Sequence, residues 1–198
     1  LAALPFNLPV AHIHGGEITE GAMDDSLRHS ITKLSHLHFV TTDQYRDRVL
    51  QMGEEPWRVT VSGAPGLENL NASQLLSAGE LEGKFGVGLN PPPVLVTFHP
   101  ATLEYEQAEW QFAELLVALE ELQEPVVFTM PNADTAGRAI AAMMKDFVAD
   151  HPGANLVDNF GTIGYFSMMS VATAMVGNSS SGIIEAASFR LPVVNIGT

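Results

Sequence analysis

The sequence predicts an α/β protein with parallel β-sheets, divided into two doubly wound units. Short apolar runs alternate with amphipathic segments along the 198 residues. This order is typical of parallel strands that are joined by right-handed helical crossovers. A stretch rich in Gly, Asn and Ser over residues 63–93 ends in three consecutive prolines and separates two such series. Polar clusters follow several of the apolar runs, where open α/β sheets bind their ligands.

Composition narrows the function classes. Hydrophobic residues make up 46% of the chain and charged residues 16%, so the chain can bury a substantial core. The absence of cysteine excludes disulfides, thiolate metal sites and cysteine nucleophiles, and it fits a reducing cytoplasm, the location we expect. A net charge of −14 argues against a nucleic-acid or anionic-membrane partner. No apolar run approaches the roughly 18 residues that span a bilayer.

The first series of elements has the order β-α-β-α-β. The predicted elements are a strand over 10–13, a helix from Asp24 or Asp25 to about Ser35, a strand over 37–41, a helix over 43–52 and a strand over 57–62. An acidic residue at the start of the first helix would cap it and complement its dipole. Three strands are few for an independent domain. The chain also begins at Leu1 without a methionine, so we expect a fragment of a longer protein.

The second series is longer and predicts a domain with about five strands. Its predicted strands cover 94–98, 126–130, 155–158, 173–176 and 192–196, and its predicted helices cover 102–122, 134–149, 163–172 and 182–189. A further helix is possible over 67–77, inside the stretch that we assign to the junction. We therefore place the C-terminal part of an incomplete N-terminal domain at residues 1–63, and most of a C-terminal domain at residues 64–198.

The segment from His12 to His29 is the first candidate site. It gathers three imidazoles, four carboxylates and one guanidinium where a strand turns into a helix. His12 and His14 have the spacing that places side chains on one face of a strand, which also suits a metal and a metallohydrolase. The two glycines after His14, with the cofacial Asp25, Arg28 and His29, favour an anion pocket instead. The alternatives are a charged surface loop, and surface pairing of Arg28 with acids one turn earlier.

Three further strand ends carry polar residues: His99, Asn132 and the Gly-Asn-Ser-Ser-Ser-Gly loop over 177–182. The glycines of this loop permit close backbone approach, and its hydroxyls and helix N-terminal amides offer donors to phosphate oxygens. Glu185, one turn further on, is suited to accept hydrogen bonds from ribose hydroxyls. The structural alternatives are a hydrogen-bonding histidine at 99, an Asx turn at 132, an ordinary serine-capped turn at 177–182, and an acid at the positive end of a helix at 185.

These motifs together resemble those of a known enzyme family. The sequences that carry the resemblance are His-Ile-His-Gly-Gly-Glu with the following Asp-Asp-Ser-Leu-Arg-His, Val-Ser-Gly-Ala-Pro-Gly, Thr-Phe-His-Pro-Ala-Thr, Pro-Asn-Ala-Asp, and Gly-Asn-Ser-Ser-Ser-Gly-Ile-Ile-Glu-Ala. They span essentially the whole chain and closely resemble the hydrolysing UDP-N-acetylglucosamine 2-epimerases. The resemblance implies a glycosyltransferase-B-like fold, with two Rossmann-type domains and the nucleotide sugar between them.

The resemblance also implies an activity. The family converts UDP-N-acetylglucosamine and water to N-acetylmannosamine and UDP, for the synthesis of sialic-acid-type sugars. A base removes the C2 proton, UDP leaves by elimination, and water adds to the glycal intermediate. No cofactor and no metal are implied, the partner is a UDP-sugar, and the family suggests a homo-oligomer, either a dimer or a tetramer.

Matching positions assign roles to residues of this chain. Asp24 falls at a catalytic carboxylate of the family, followed by Arg28 and His29 as in relatives, and His99 falls at a substrate-contacting histidine. His14 stands where several relatives have a catalytic glutamate, so either His14 or Glu17 is expected to work with Asp24. The positions that match contacts to UDP are Asn132, Ser179, Ser180 and Glu185, with Phe160 near the expected site of the uracil.

Several other functions stay open at this point. One is a hydrolysing 2-epimerase of a UDP-diacetylbacillosamine-type sugar, which the pocket residues do not distinguish. Another is the non-hydrolysing epimerase, which His-Gly-Gly-Glu in place of that branch's Glu-Ala-Gly disfavours. A third is a nucleotide-sugar-binding module without catalysis.

Three segments that the family has are not found in these 198 residues: its first strand, a later Asp-containing loop and an Arg-Gln-x-Gly-Arg segment. We therefore expect little or no activity from this chain alone.

Overall fold

The chain folds into two compact units, Leu1–Asn71 and Ala72–Thr198, and each contains one parallel β-sheet. The computed structural model describes residues 2–19, 23–72, 75–100, 105–131 and 135–196. The predicted α/β class with parallel sheets is confirmed. The assignment of 1–63 and 64–198 to domains of the whole protein stays a prediction. Among the described helices, none is long and apolar enough to cross a membrane.

Unit 1 contains a three-stranded parallel sheet of order β1-β2-β3. Its elements are β1 (Ala11–Ile13), α1 (Asp24–Lys33), β2 (Leu37–Val40), α2 (Asp43–Gln51), β3 (Val59–Val61) and α3 (Pro65–Ala72). The predicted order and type of the five elements from β1 to β3 are correct, with bounds that differ by at most two residues. The predicted strand over 57–62 is shorter, because Pro56–Arg58 form a 3-10 turn before it.

The start of α1 corrects one sequence prediction. Neither Asp24 nor Asp25 caps the helix, because the N-cap residue is Met23 and no side chain closes the cap. Both acids lie in the first turn instead. The Asp25 carboxylate accepts a hydrogen bond from the Thr19 amide at 2.7 Å and another from Arg28 Nη1 at 2.9 Å. The carboxylate therefore holds the preceding loop rather than the helix end.

Unit 2 contains a five-stranded parallel sheet of order β6-β5-β4-β7-β8 within the described ranges, in line with the predicted strand number. Its strands are β4 (Val94–Thr97), β5 (Val126–Thr129), β6 (Ala154–Val157), β7 (Ala174–Gly177) and β8 (Val193–Asn195). Its helices are α4 (Ala78–Phe85), α5 (Ala108–Glu120), α6 (Thr135–Asp150), α7 (Gly161–Val171) and α8 (Ser181–Ile184).

Three helix predictions in this region need correction. The helix possible over 67–77 is α3, which ends at Ala72, and α4 lies in the stretch expected to be only a junction. A capping box formed by Ser77 and Glu80 begins α4, and Gly86 ends it in a left-handed conformation. In the described part of the helix expected over 102–122, Tyr105–Gln107 form a 3-10 turn and α5 begins at Ala108. The helix expected over 182–189 is one turn, α8, followed by a 3-10 turn.

The central strand β4 positions the loops that matter for function. All four of its residues are buried, as expected for a strand covered on both faces of a parallel sheet. In the register of β4 and β7, Thr97 lies beside Gly177. A side chain at Gly177, whose φ is 149°, would collide with the Thr97 carbonyl oxygen, so only glycine permits this approach. The carboxyl ends of the two strands are therefore held side by side.

A cluster of hydrogen-bonded polar side chains ties α1 to the loop after α2 in unit 1. The Glu54 side chain is 9% exposed and accepts hydrogen bonds from Lys33 Nζ at 2.5 Å and from His38 Nε2 at 3.2 Å. Burial acts to raise the pKa of Glu54. The hydrogen bonds and charges of Lys33 and His38 outweigh burial and hold the pKa below its ordinary value of 4.5.

We expect Glu54→Gln to lower the free energy of unfolding of the intact protein at pH 7 by about 1–3 kcal/mol, because the acceptor of both hydrogen bonds loses its negative charge. A lowered folded-state pKa contributes stability above the unfolded-state pKa and loses it as pH falls through the folded-state pKa. The difference between variant and wild type should therefore shrink below about pH 4.5. Urea unfolding at pH 7 and at pH 4 measures both effects.

Glu55→Gln is the matched control, because this side chain is 58% exposed and pairs with Arg58 at the surface. We expect it to cost less than about 0.5 kcal/mol at either pH. The role assigned to Glu54 is contradicted if the two variants lose equal stability, or if the loss in Glu54→Gln does not depend on pH.

Candidate active site

The turn after β1 has an unusual backbone. The His14 amide donates to the Phe39 carbonyl oxygen at 3.0 Å, which extends the β1–β2 ladder by one residue. His14 itself then has a φ of 62°, and Gly16 has a φ of 81°. A left-handed conformation is uncommon for a residue other than glycine, and it persists only where the surroundings enforce it. The strand thus ends in a sharp turn at His14, the second imidazole of the candidate site.

Helix α2 holds the far side of this turn. A Cβ on Gly16 would collide with the Tyr45 carbonyl oxygen and would lie 3.0 Å from Val49 Cγ2. Arg48 Nη1 donates a hydrogen bond to the Gly16 carbonyl oxygen. Glycine is therefore required at position 16 by its conformation and by its close approach to α2.

The turn brings His14 and Glu17 together. His14 Nδ1 lies 2.7 Å from Glu17 Oε1, and the Thr41 hydroxyl donates to the same oxygen at 3.0 Å. The His14 side chain is 36% exposed and that of Glu17 is 18% exposed. When a carboxylate accepts a hydrogen bond from Nδ1–H, it fixes the tautomer of the ring and leaves Nε2 for proton exchange. Thr41 was not predicted as a site residue, because the contact joins two different strand ends.

Arg28 fastens the next part of the loop to α1. Its guanidinium is 18% exposed and donates to the Glu17 carbonyl oxygen at 3.1 Å, to Asp25 Oδ1 at 2.9 Å and to Thr19 Oγ1 at 3.1 Å. Arg28 thus pairs with Asp25 one turn earlier, as the alternative interpretation expected, but it is half-buried and also binds the loop. Asp24 is exposed in the first turn of α1 and takes part in none of these hydrogen bonds. The neighbouring His29 is half-buried.

In unit 2, Asn178 joins the ends of β4 and β7. Its Oδ1 accepts a hydrogen bond from the His99 amide at 2.8 Å, and its Nδ2 donates to the His99 carbonyl oxygen at 2.6 Å. This bidentate contact fixes the backbone of the predicted histidine against the predicted serine loop. From the sequence, Asn178 was noted only as part of the Gly-Asn-Ser-Ser-Ser-Gly motif, and no role was predicted for its side chain.

A chain of hydroxyl groups runs beneath the serine loop. Ser179 Oγ lies 2.8 Å from Ser181 Oγ, which in turn lies 2.8 Å from the Tyr165 hydroxyl. The Tyr165 hydroxyl is 3.2 Å from Thr97 Oγ1, and Thr129 Oγ1 donates to Thr97 Oγ1 at 3.1 Å. These bonds tie the loop to the ends of β4 and β5. Tyr165 was not predicted, since nothing in a helix sequence marks a contact to a distant loop.

Two backbone amides at the start of α8 form hydrogen bonds within the turn. The N–H of Gly182 donates to the Ser179 carbonyl oxygen, and the N–H of Ile183 donates to the Ser180 carbonyl oxygen, both at 3.0 Å. These two donors are therefore satisfied inside the turn. The Ser180 side chain is exposed and takes no part in the hydroxyl chain, and Glu185 is half-buried at the end of α8.

Phe160 and Asn132 were both predicted to contact UDP. Phe160 is 5% exposed, and its ring packs against Phe85 with 4.7 Å between centroids, so its side chain belongs to the core of unit 2. Asn132 lies outside the described residues. The roles of both residues towards UDP stay predictions. Among the described side chains, no group of three or more His, Asp or Glu residues is placed to hold a metal ion.

Comparisons with known proteins agree with this architecture. The sequence model of the UDP-N-acetylglucosamine 2-epimerase family matches residues 1–198. A GDP/UDP-N,N'-diacetylbacillosamine 2-epimerase (hydrolyzing) from Campylobacter jejuni is 40% identical, over 98% of this chain and 51% of that protein. A UDP-N-acetylglucosamine 2-epimerase from Neisseria meningitidis is 34% identical, over 96% of this chain and 49% of that protein.

The fold has a counterpart among solved structures. The S. aureus MnaA–UDP co-structure superposes with a TM-score of 0.78, at 16% identity, over 100% of this chain and 52% of that chain. The chain thus spans about half the length of the relatives that it matches. On the match along its whole length and on these identities, the chain belongs to the UDP-N-acetylglucosamine 2-epimerase family.

Proposed function

We propose that the intact protein is a hydrolysing 2-epimerase that converts UDP-N-acetylglucosamine and water to N-acetylmannosamine and UDP. The observation that carries the proposal is the hydrogen bond of 2.7 Å between His14 and Glu17 at the end of β1. An imidazole oriented by a carboxylate is a suitable group for moving a proton near neutral pH. Membership of the family and the hydrolysing activity named for the Campylobacter jejuni relative support the same reaction.

The reaction needs a base and a stabilised leaving group. The base takes the proton from C2 of the sugar, the C1–O bond breaks, and UDP leaves with the bonding electron pair. Water then adds its oxygen to C1 of the resulting glycal, and a proton returns to C2 from the opposite face. The C2 proton is only weakly acidic, so a positioned base and polar groups near the departing phosphate both lower the barrier.

In this proposal, His14 exchanges the proton with the substrate, and Glu17 orients the imidazole ring of His14. His14 is the more exposed member of the pair, whereas Glu17 accepts hydrogen bonds from both His14 and Thr41. This division resembles triads in which a carboxylate fixes the tautomer of a catalytic histidine. Asp24, exposed at the start of α1, supplies the second acid–base group. Arg28 positions the loop through its hydrogen bond to the Glu17 carbonyl oxygen.

Unit 2 is proposed to bind the nucleotide. A chain with a net charge of −14 has to hold a diphosphate by local donors, because its overall field repels anions. The hydroxyls of the serine loop are such donors, and Ser180 is exposed. The further residues proposed for the UDP-sugar are Ser179, Glu185, Asn132, Phe160 and His99.

We also propose that the enzyme works without a cofactor, that it is a cytoplasmic dimer or tetramer, and that its product is used for the synthesis of sialic-acid-type sugars.

A second candidate substrate is UDP-N,N'-diacetylbacillosamine. The Campylobacter jejuni relative, at 40% identity, is named for this sugar, and the Neisseria meningitidis relative, at 34% identity, is named for UDP-N-acetylglucosamine. Both substrates undergo the same chemistry at C1 and C2. The residues that contact the rest of the sugar therefore determine the choice between them.

We expect the intact protein in heavy water to release a free N-acetylmannosamine that carries deuterium at C2, together with UDP. The deuterium enters because the proton returned to C2 comes from a group that exchanges with solvent. Proton NMR and mass spectrometry of the product measure both the sugar configuration and the label.

Two other outcomes of this experiment are decisive. Release of a free sugar without deuterium contradicts C2 deprotonation, and formation of UDP-N-acetylmannosamine contradicts the hydrolysing reaction. A parallel reaction with UDP-N,N'-diacetylbacillosamine distinguishes the substrates, since the true substrate should have a kcat/KM at least tenfold higher, a difference of about 1.4 kcal/mol in transition-state binding.

A further inference from the structure

His12 is a buried imidazole that the proposed reaction does not use. It lies in β1, is 8% exposed, and is paired in register with His38 of β2, whose ring centroid is 6.5 Å away. A neutral histidine in this position has to find partners for its ring nitrogens within the protein. The contacts of the His12 ring identify the part of the fold that it holds in place.

Thr32 of α1 is the hydrogen-bond partner of His12. Thr32 is fully buried, and its Oγ1 lies 3.1 Å from His12 Nδ1. The Thr32 hydroxyl donates to the Arg28 carbonyl oxygen one turn earlier, also at 3.1 Å. A hydroxyl has a single hydrogen, so Thr32 Oγ1 acts as the acceptor towards His12, and His12 carries its proton on Nδ1. The bond therefore sets both the tautomer and the orientation of the buried ring.

The His12–Thr32 pair lies directly against the turn that carries His14. A Cβ placed on Gly15 would be 3.1 Å from His12 Nδ1 and 3.4 Å from Thr32 Oγ1. Gly15 thus rests on the hydrogen bond itself, while Gly16 rests on α2 through Tyr45 and Val49. The backbone between His14 and Glu17 is enclosed from both sides.

The charges that face His12 favour its neutral form. Burial lowers the pKa of His12, and the charges of His38 on β2, Arg28 on α1 and His14 in the turn lower it further, against a smaller opposite effect of Glu17. A neutral ring can keep the donor and acceptor pattern that the contact with Thr32 requires.

We propose that His12 is a positioning residue, which acts through its hydrogen bond to Thr32 to hold the Gly15–Gly16 turn and so keep His14 and Glu17 paired for proton transfer. This inference rests on the proposed function, because it assigns His12 to the same acid–base pair. It adds a role for a residue that neither touches the proposed substrate nor exchanges its proton.

The test compares Thr32→Val with Thr32→Ser in the intact protein. Valine has nearly the shape of threonine but offers no acceptor to His12, whereas serine keeps the hydroxyl. We expect Thr32→Val to lower kcat about 10- to 100-fold with KM within about threefold, because small displacements of catalytic groups cost rate rather than binding. Thr32→Ser should stay within about threefold of wild type in both constants.

Crystal structures of the two variants provide a readout that does not depend on turnover. We expect the distance from His14 Nδ1 to Glu17 Oε1 to exceed 3.5 Å in Thr32→Val and to remain near 2.7 Å in Thr32→Ser. If wild type turns over no UDP-sugar, the proposed function fails, and these two distances alone decide the positioning role.

The inference is overturned if Thr32→Val keeps kcat within threefold, if Thr32→Ser loses as much as Thr32→Val, or if the His14–Glu17 bond persists in Thr32→Val. Should Thr32→Val not fold, His12→Asn and His12→Leu replace it, since only asparagine retains an N–H for Thr32. The expected kcat of His12→Asn is then at least tenfold above that of His12→Leu, and equal values overturn the inference.

Discussion

The left-handed turn at His14 is the constraint on which the proposed acid–base site depends. A residue other than glycine keeps a φ of 62° only if its neighbours enforce it. Here Arg48 of α2 binds the Gly16 carbonyl oxygen on one side, and the His12–Thr32 pair packs under Gly15 on the other. The result is a short imidazole–carboxylate contact that β1 in an extended conformation could not make.

Unit 2 fixes its candidate ligand loop by related means. Gly177 permits β7 to approach Thr97 of β4, and the amide of Asn178 then bonds both backbone groups of His99. The hydroxyl of Tyr165 connects the serines of the loop to the same strand end. In both units, the carboxyl ends of parallel strands carry the polar residues, and glycines permit the close backbone contacts that hold them.

Periodicity predicted the order and type of most elements, because each strand and helix buries a face that local sequence defines. Two local signals were misjudged, one at the start of α1 and one at the start of α4. Asp25 binds Arg28 instead of capping α1, and the capping box at Ser77 begins a helix that its glycine-rich surroundings concealed. The motif around His14 pointed to the site, but its pairing with Glu17 depends on backbone angles. Contacts such as that of Thr41 join distant segments, which one sequence does not reveal.

The central claim is that His14 and Glu17 act as one unit in proton transfer, and a double-mutant cycle on kcat tests it most directly. The account predicts that His14→Ala lowers kcat about 100- to 10,000-fold and that Glu17→Gln lowers it about 10- to 100-fold. The double variant should be no slower than His14→Ala alone, because an orienting carboxylate has no function without the ring that it orients. A larger loss in Glu17→Gln than in His14→Ala, or losses that multiply in the double variant, would contradict the account.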